Sequence, residues 1–173
     1  MYMYYYDSPM GVIKLCADEE SLLGIWFDEE RIAEAFLDIE AIENFDDNKH
    51  ISDAVRWLDE YFAGTVPSFT PKLKLQGSEF RKNVSKIMLE IPYGELSTYG
   101  EIANEVAMRI GKDRMSAQAV GGAVGSNEFS IIVPCHRVVG KGGKLTGYAG
   151  GMDKKVYLLR HEGVDFEGHN LRI

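Results

Sequence analysis

One segment of this chain carries residue types that do covalent chemistry. It is Pro134-Cys135-His136-Arg137, set between the apolar runs Ile131-Ile132-Val133 and Val138-Val139. A cysteine attacks carbon only as thiolate, and a free thiol with a pKa of about 8.5 is mostly protonated at neutral pH, so a base must stand within reach. His136 is the adjacent base. Neighbours on an extended segment point to opposite sides, so direct contact is not assured and a bridging water is a second route for the proton. A histidine base also needs a carboxylate on its other nitrogen to hold the tautomer and stabilise the imidazolium, and Glu162 is the candidate. The same residues admit a structural reading, with Cys135 a small buried hydrophobe and His136 a satisfied core histidine.

The elements around this segment must present it. Ile131 to Val133 read as a buried strand, and Pro134, which has no N–H, ends the strand's pairing and leaves Cys135 in a turn. Upstream, Ser78 is expected to cap a helix whose Phe80, Val84, Ile87, Met88 and Ile91 form one buried stripe, ended by Pro92. Thr98-Tyr99-Gly100-Glu101 has the form of a capping box and opens another helix. A basic loop with Arg109, Lys112 and Arg114 leads to Ser116, the expected cap of helix 117–124. Glycine costs a helix about 1 kcal/mol relative to alanine, so the Gly121-Gly122 pair argues for close approach by another surface. Two short helices joined by a basic loop resemble a helix-turn-helix, and tight packing inside the protein is an equal reading. Downstream, the glycine-rich loop 141–151 lacks the spacing of a phosphate-cradling fingerprint. Asp153 is expected to cap a last helix to Glu162, stopped by Gly163 and followed by a loosely held tail.

The first part of the chain shows no convergent polar cluster. Residues 2–6, 12–17 and 22–27 read as an antiparallel meander. Helices are expected over 29–43, on the spacing of Ile32, Phe36 and Ile39, and over 53–63, between Ser52 and Gly64. Lys72-Leu73-Lys74-Leu75 alternates like a returning strand, and Cys16 and His50 read as structural. The boundary is expected at Gln76-Gly77, giving an α/β domain over 1–76 and a second domain over 77–173.

Composition narrows the function classes. The chain has 173 residues, 45% of them apolar, two cysteines in unlike contexts and four scattered histidines. That argues for reduced thiols and against zinc-ligand spacing. No run approaches the roughly 20 apolar residues of a membrane span, so a cytoplasmic location is expected. Net charge is −8. It is unevenly placed: residues 1–77 hold 6 Lys and Arg against 16 Asp and Glu, and residues 78–173 hold 13 against 11. The second half can therefore tolerate a polyanion, although a solvated mixed-charge face gives the same count.

Pro134-Cys135-His136-Arg137-Val138-Val139, with Ala119-Val120-Gly121-Gly122-Ala123 upstream and Tyr148-Ala149-Gly150-Gly151 downstream, resembles the O6-alkylguanine-DNA alkyltransferases. The likeness is close from about Ser78 to Gly163, and the first 75 residues match that family in outline. It implies a ribonuclease H-like α/β domain ahead of a mostly α, winged-helix-like domain with a helix-turn-helix. It further implies that Cys135 irreversibly accepts the alkyl group of a flipped O6-alkylguanine, with His136 acting through a water and Glu162 behind it.

Other roles follow from the same resemblance. Tyr99 would donate to the guanine ring nitrogen and help rotate the nucleotide out. Asn127 would be the hinge asparagine, and Val133, Tyr148 and Ala149 would line the base pocket. Arg114, Ser116, Ala117, Gln118, Ala119, Gly122 and Arg137 would meet double-stranded DNA through the minor groove, by a monomer acting at the nucleoid, without cofactor or metal. Activity on O4-alkylthymine is left open. The chain departs from the family pattern in three ways: Gln118 stands where many relatives have a finger arginine, Ser85 where many have tryptophan, and the zinc ligands of some members are absent. Two further readings stand beside this one: a module that binds alkylated bases without repairing them, and a cysteine hydrolase, for which no oxyanion-hole signature is visible.

Overall fold

The first three strands form where β-branched and aromatic residues alternate with turn signals: β1 (Tyr2–Ser8), β2 (Gly11–Ala17) and β3 (Leu22–Phe27). They pair as the expected antiparallel meander in the order β1-β2-β3. The computed structural model describes residues 1–27 and 32–173. These divide into two units, Met1–Lys74 with Glu128–Ser130, and Leu75–Asn127 with Ile131–Ile173.

In the first unit β3 is buried along its whole length. One edge pairs with β2, and the other meets Leu73 at Leu22 and Phe129 at Ile25. The expected strand 72–75 is therefore one bridge, with Leu22 N donating to Lys72 O (2.8 Å) and Lys74 N to Leu22 O (2.9 Å). Residues 128–130, which sequence reasoning gives to the second half, complete this edge. Ile25 N donates to Glu128 O (2.7 Å), Ser130 N to Ile25 O (3.0 Å), and Trp26 Nε1 to Glu128 Oε2 (2.8 Å). Gly24 makes room for that indole, since a Cβ there would lie 2.0 Å from it.

Helix α1 (Lys49–Phe62) packs Ile51, Ala54, Val55, Leu58 and Tyr61 inward. It starts four residues earlier than the sequence suggests. Its cap is Asn48, whose side chain accepts from His50 N and Ile51 N, while Ser52 donates to Asp46 Oδ1. The helix expected over 29–43 does not form in the described residues 32–43, which contain one 3-10 turn, Glu34–Phe36; residues 28–31 lie outside the described residues. Ile32, Phe36 and Ile39 still pack on Met3, Cys16, Leu23 and Trp26. No side chain caps this turn, Glu34 and Asp38 would repel at i,i+4 in a continuous helix, and Ile42 N bonds Met3 O (2.8 Å), which draws the chain out.

The second unit is built on α2 (Glu79–Leu89), α3 (Tyr99–Arg109) and α4 (Ala117–Gly125), which pack on one another. Their starts are those the sequence announces. Ser78 accepts from Arg81 N, Thr98 and Glu101 form the full capping box, and Ser116 accepts from Ala119 N. Strands β4 (Ser97–Thr98) and β5 (Val138–Val139) form a short parallel pair.

Ile131–Val133 is buried as expected but is a turn. Pairing stops at Phe129, and Ile131 takes a left-handed φ of 74°, which reverses the chain. An apolar run buried on all sides has no alternation to distinguish a turn from a strand.

Helix α5 (Met152–His161) begins at Gly151 with φ 98°, not at an Asp153 cap, and Asp153 sits in the first turn. Residues 164–173 are tied down. Leu145 N donates to Arg172 O (2.7 Å), Arg172 N to Gly143 O (3.1 Å), and Phe166 and Leu171 pack on the Val139, Leu145 and Leu159 cluster. Among the described residues no helix is long and apolar enough to cross a membrane.

Candidate active site

Cys135 opens a 3-10 turn, Cys135–Arg137, and its position follows from Pro134. Pro134 (φ −81°, ψ 62°) has the angles of an inverse γ-turn, closed by Cys135 N donating to Val133 O (2.8 Å). Asn127, just beyond α4, grips this turn. Its Nδ2 donates to Val133 O (2.9 Å) and to Cys135 Sγ (3.1 Å). The thiol is 6% exposed and opens into a cavity of about 590 Å³. Tyr99, Ala117, Gln118, Asn127, Tyr148 and Ala149, all singled out from the sequence, line that cavity with it. Val133, expected on the wall, is fully buried and contributes its carbonyl instead.

Behind the thiol lies a buried charge cluster. His136 is fully buried, and its Nε2 is 2.6 Å from Glu162 Oε1. Arg137 Nε donates to Glu162 Oε2 (2.9 Å) and Nη2 to Oε1 (2.9 Å), and Gly94 N donates to Oε2 (3.1 Å). Burial pushes the Glu162 carboxyl up, but the hydrogen bonds from His136 and Arg137 and the charge of Arg137 outweigh it and hold the carboxyl well below the usual range. Burial also lowers the His136 pKa despite the attraction of Glu162, so the imidazole is neutral at rest. Facing an anion, Nε2 is the nitrogen that carries the hydrogen, and Nδ1 holds the lone pair. Nδ1 has no hydrogen-bond partner among the described residues. That makes it the nitrogen able to take a proton.

This geometry removes Arg137 from the surface where sequence reasoning expects it to meet DNA. The side chain is buried, Nη1 donates to Ile91 O (2.6 Å), and the guanidinium lies over the Tyr93 ring. A buried carboxylate needs a permanent countercharge, and Arg137 supplies it. By contrast Arg114, Ser116, Ala117, Gln118, Ala119 and Gly122 are exposed, as a docking face requires. Nothing lies within 4 Å of a Cβ built on Gly122, and one built on Gly121 would touch the Tyr99 ring at 3.9 Å.

Two residues that sequence reasoning passed over belong to this site. Lys155 is fully buried on α5, and its Nζ donates to Val138 O (2.7 Å) and Thr146 O (3.1 Å). Burial lowers its pKa to about 8, against an attraction from Cys135. Its signal was a lysine on the apolar stripe it shares with Leu158 and Leu159. Thr146 lines the cavity and bonds Tyr99 Oη through its hydroxyl, at 2.8 Å.

Comparison with known proteins adds the family. The model described as "6-O-methylguanine DNA methyltransferase, ribonuclease-like domain" matches residues 1–75, and the corresponding "DNA binding domain" model matches 79–164. The chain belongs to the 6-O-methylguanine DNA methyltransferase family. A relative named methylated-DNA--protein-cysteine methyltransferase from Methanosarcina acetivorans is 45% identical over 164 residues, 94% of this chain and 99% of that protein. A Haemophilus influenzae protein of the same name is 39% identical over 96% of this chain and 88% of its own. Among solved structures, Mycobacterium tuberculosis OGT in complex with DNA aligns with a TM-score of 0.79 at 38% identity, covering 94% of this chain and 92% of that one.

Proposed function

We propose that this chain repairs double-stranded DNA by moving the alkyl group of O6-alkylguanine onto Cys135, once per molecule. The observation that carries the reading is the placement of Cys135 Sγ in the cavity, with Asn127 Nδ2 on the sulfur and the His136–Glu162 hydrogen bond behind it. His136 Nδ1 takes the thiol proton through a water, and the imidazolium is stabilised by Glu162. The nearby Lys155 ammonium favours the thiolate by its charge. Sγ then attacks the alkyl carbon in line, the S–C bond forms as the C–O6 bond breaks, and the electron pair leaves on guanine. Tyr99 Oη donates to the ring nitrogen of the departing base, which takes its final proton from water.

A base inside a duplex is out of reach of this thiol, so the lesion must be flipped out, at a cost of a few kcal/mol that is least for a poorly paired base. The exposed, small-residue face of α4 suits close approach to the minor groove, and Gln118 at the cavity mouth fills the space the base vacates. Arg114 supplies phosphate attraction. The protein acts as a monomer at the nucleoid, and the thioether it forms is too stable to hydrolyse, so the molecule is spent.

Intact-mass analysis after incubation with a duplex holding one O6-methylguanine tests the reading. The expected result is a gain of one methyl group mapped to Cys135, at no more than one transfer per chain, with none in Cys135→Ala. Tight lesion binding without transfer would make the chain a non-catalytic alkylated-base-binding module, and repeated turnover by one molecule would overturn the single-use mechanism.

A further inference from the structure

Two hydroxyls on the cavity wall are joined. Tyr99 Oη and Thr146 Oγ1 stand 2.8 Å apart, and either can be the donor. Both side chains are half-buried and line the cavity that Cys135 opens into. Neither is held there by chance. Tyr99 is the first residue of α3, and the capping box of Thr98 and Glu101 fixes its backbone. The Thr146 backbone is pinned by Lys155 Nζ on its carbonyl and by Leu145 N on Arg172 O just before it.

A phenol has one proton to give and lone pairs that accept, and so has the threonine hydroxyl. When Tyr99 turns its proton toward a departing base, it can no longer donate to Thr146. Its lone pairs can then accept. Thr146 needs only to rotate its O–H for the bond to survive with direction reversed, giving the chain Thr146 Oγ1–H to Tyr99 Oη–H to ring nitrogen. Hydrogen bonds in such a chain polarise one another, so the phenol becomes a better donor when charge develops on guanine.

We infer that Thr146 is a positioning residue of the transfer reaction: its hydroxyl donates to Tyr99 Oη and directs the phenolic proton to the leaving guanine. The inference rests on the reading of Tyr99 given under the proposed function. Both hydroxyls keep their protons throughout, and no further reactant is needed. The backbone bond to Lys155 does not involve the Thr146 side chain, so removing the hydroxyl leaves that contact in place.

The test is the single-turnover rate of methyl transfer from a duplex with one O6-methylguanine, for the wild-type chain, Thr146→Val, Thr146→Ser, Tyr99→Phe and the Tyr99→Phe/Thr146→Val double variant. Thr146→Val keeps the shape and should slow transfer about three- to tenfold, the range expected for one hydrogen bond between neutral groups. Its melting temperature and its affinity for undamaged duplex should stay at the wild-type values. Thr146→Ser, which keeps the hydroxyl, should restore most of the lost rate. In the Tyr99→Phe background the valine should cost nothing more. A wild-type rate in Thr146→Val, or the same fractional loss with and without the Tyr99 hydroxyl, would overturn the inference while leaving the alkyl-transfer reading intact. Absence of transfer by the wild-type chain itself would overturn both.

Discussion

Glu162 accepts hydrogen bonds from His136, twice from Arg137 and from Gly94, with its side chain closed to water. Removing its charge therefore does more than weaken a base. Glu162→Gln leaves the Arg137 guanidinium buried without its counterion, which should destabilise the fold by about 3 kcal/mol as read from chemical denaturation. Adding Arg137→Met should recover part of that loss, because the second charge goes too; no recovery would mean that the carboxylate is held by something other than this pair.

Lys155 carries a pH signature of the same origin. Its folded pKa of about 8 lies below the ordinary 10.5, so below pH 8 both states are protonated and burial is at its most costly. Between pH 8 and 10 the unfolded chain binds more protons than the folded one, so stability rises with pH in that window. The rise should be about 2 kcal/mol larger in wild type than in Lys155→Met by denaturation at the two pH values. Equal slopes would place the amine in contact with water.

At this scale the sequence reads unevenly. The contact of His136 with Glu162 was legible, because a histidine base calls for an orienting carboxylate. Arg137 was not, because a basic residue beside a nucleophile looks like a surface contact until Glu162 is known to be buried.

Among the elements, starts were legible where the signal is local. Ser78, Thr98 with Glu101, and Ser116 each need only the next three residues to act as caps. Readings failed where a distant contact decides. Asn48 won over Ser52 as the α1 cap, and its Nδ2 also donates to Asp18 O (3.0 Å). Residues 32–43 were drawn onto Met3, and Ile131–Val133 became a turn after Ser130 had bonded Ile25.

That turn sets up a contrast. A β-branched residue at φ 74° stores about 1–3 kcal/mol of backbone strain. Ile131 is also fully buried, so any truncation costs packing. Alanine normally outperforms glycine in folded segments, but here glycine relieves the left-handed backbone. Ile131→Gly should be more stable than Ile131→Ala by about 1 kcal/mol in parallel denaturation curves. The opposite order would mean that the turn holds no strain.

At the scale of the molecule, the two-part organisation was legible from charge and pattern, with the acidic half holding the meander and the near-neutral half the thiol. What no local pattern could announce is the ownership of residues 128–130. They follow α4 by a few positions, yet they complete the edge of β3. Residues 1–76 made alone should therefore lack the partners of Ile25 and Trp26. Such a fragment should melt well below the parent or without a cooperative transition, as followed by circular dichroism; a melt like that of the intact chain would show the three-residue segment to be dispensable.

That small loan of chain bears on inheritance. A recombination event near residue 76 would hand on a β-sheet with one side unfinished, and the recipient would have to provide a matching tripeptide from its own sequence. The N-terminal half is therefore a poor candidate for shuffling between genes, however cleanly its composition sets it apart.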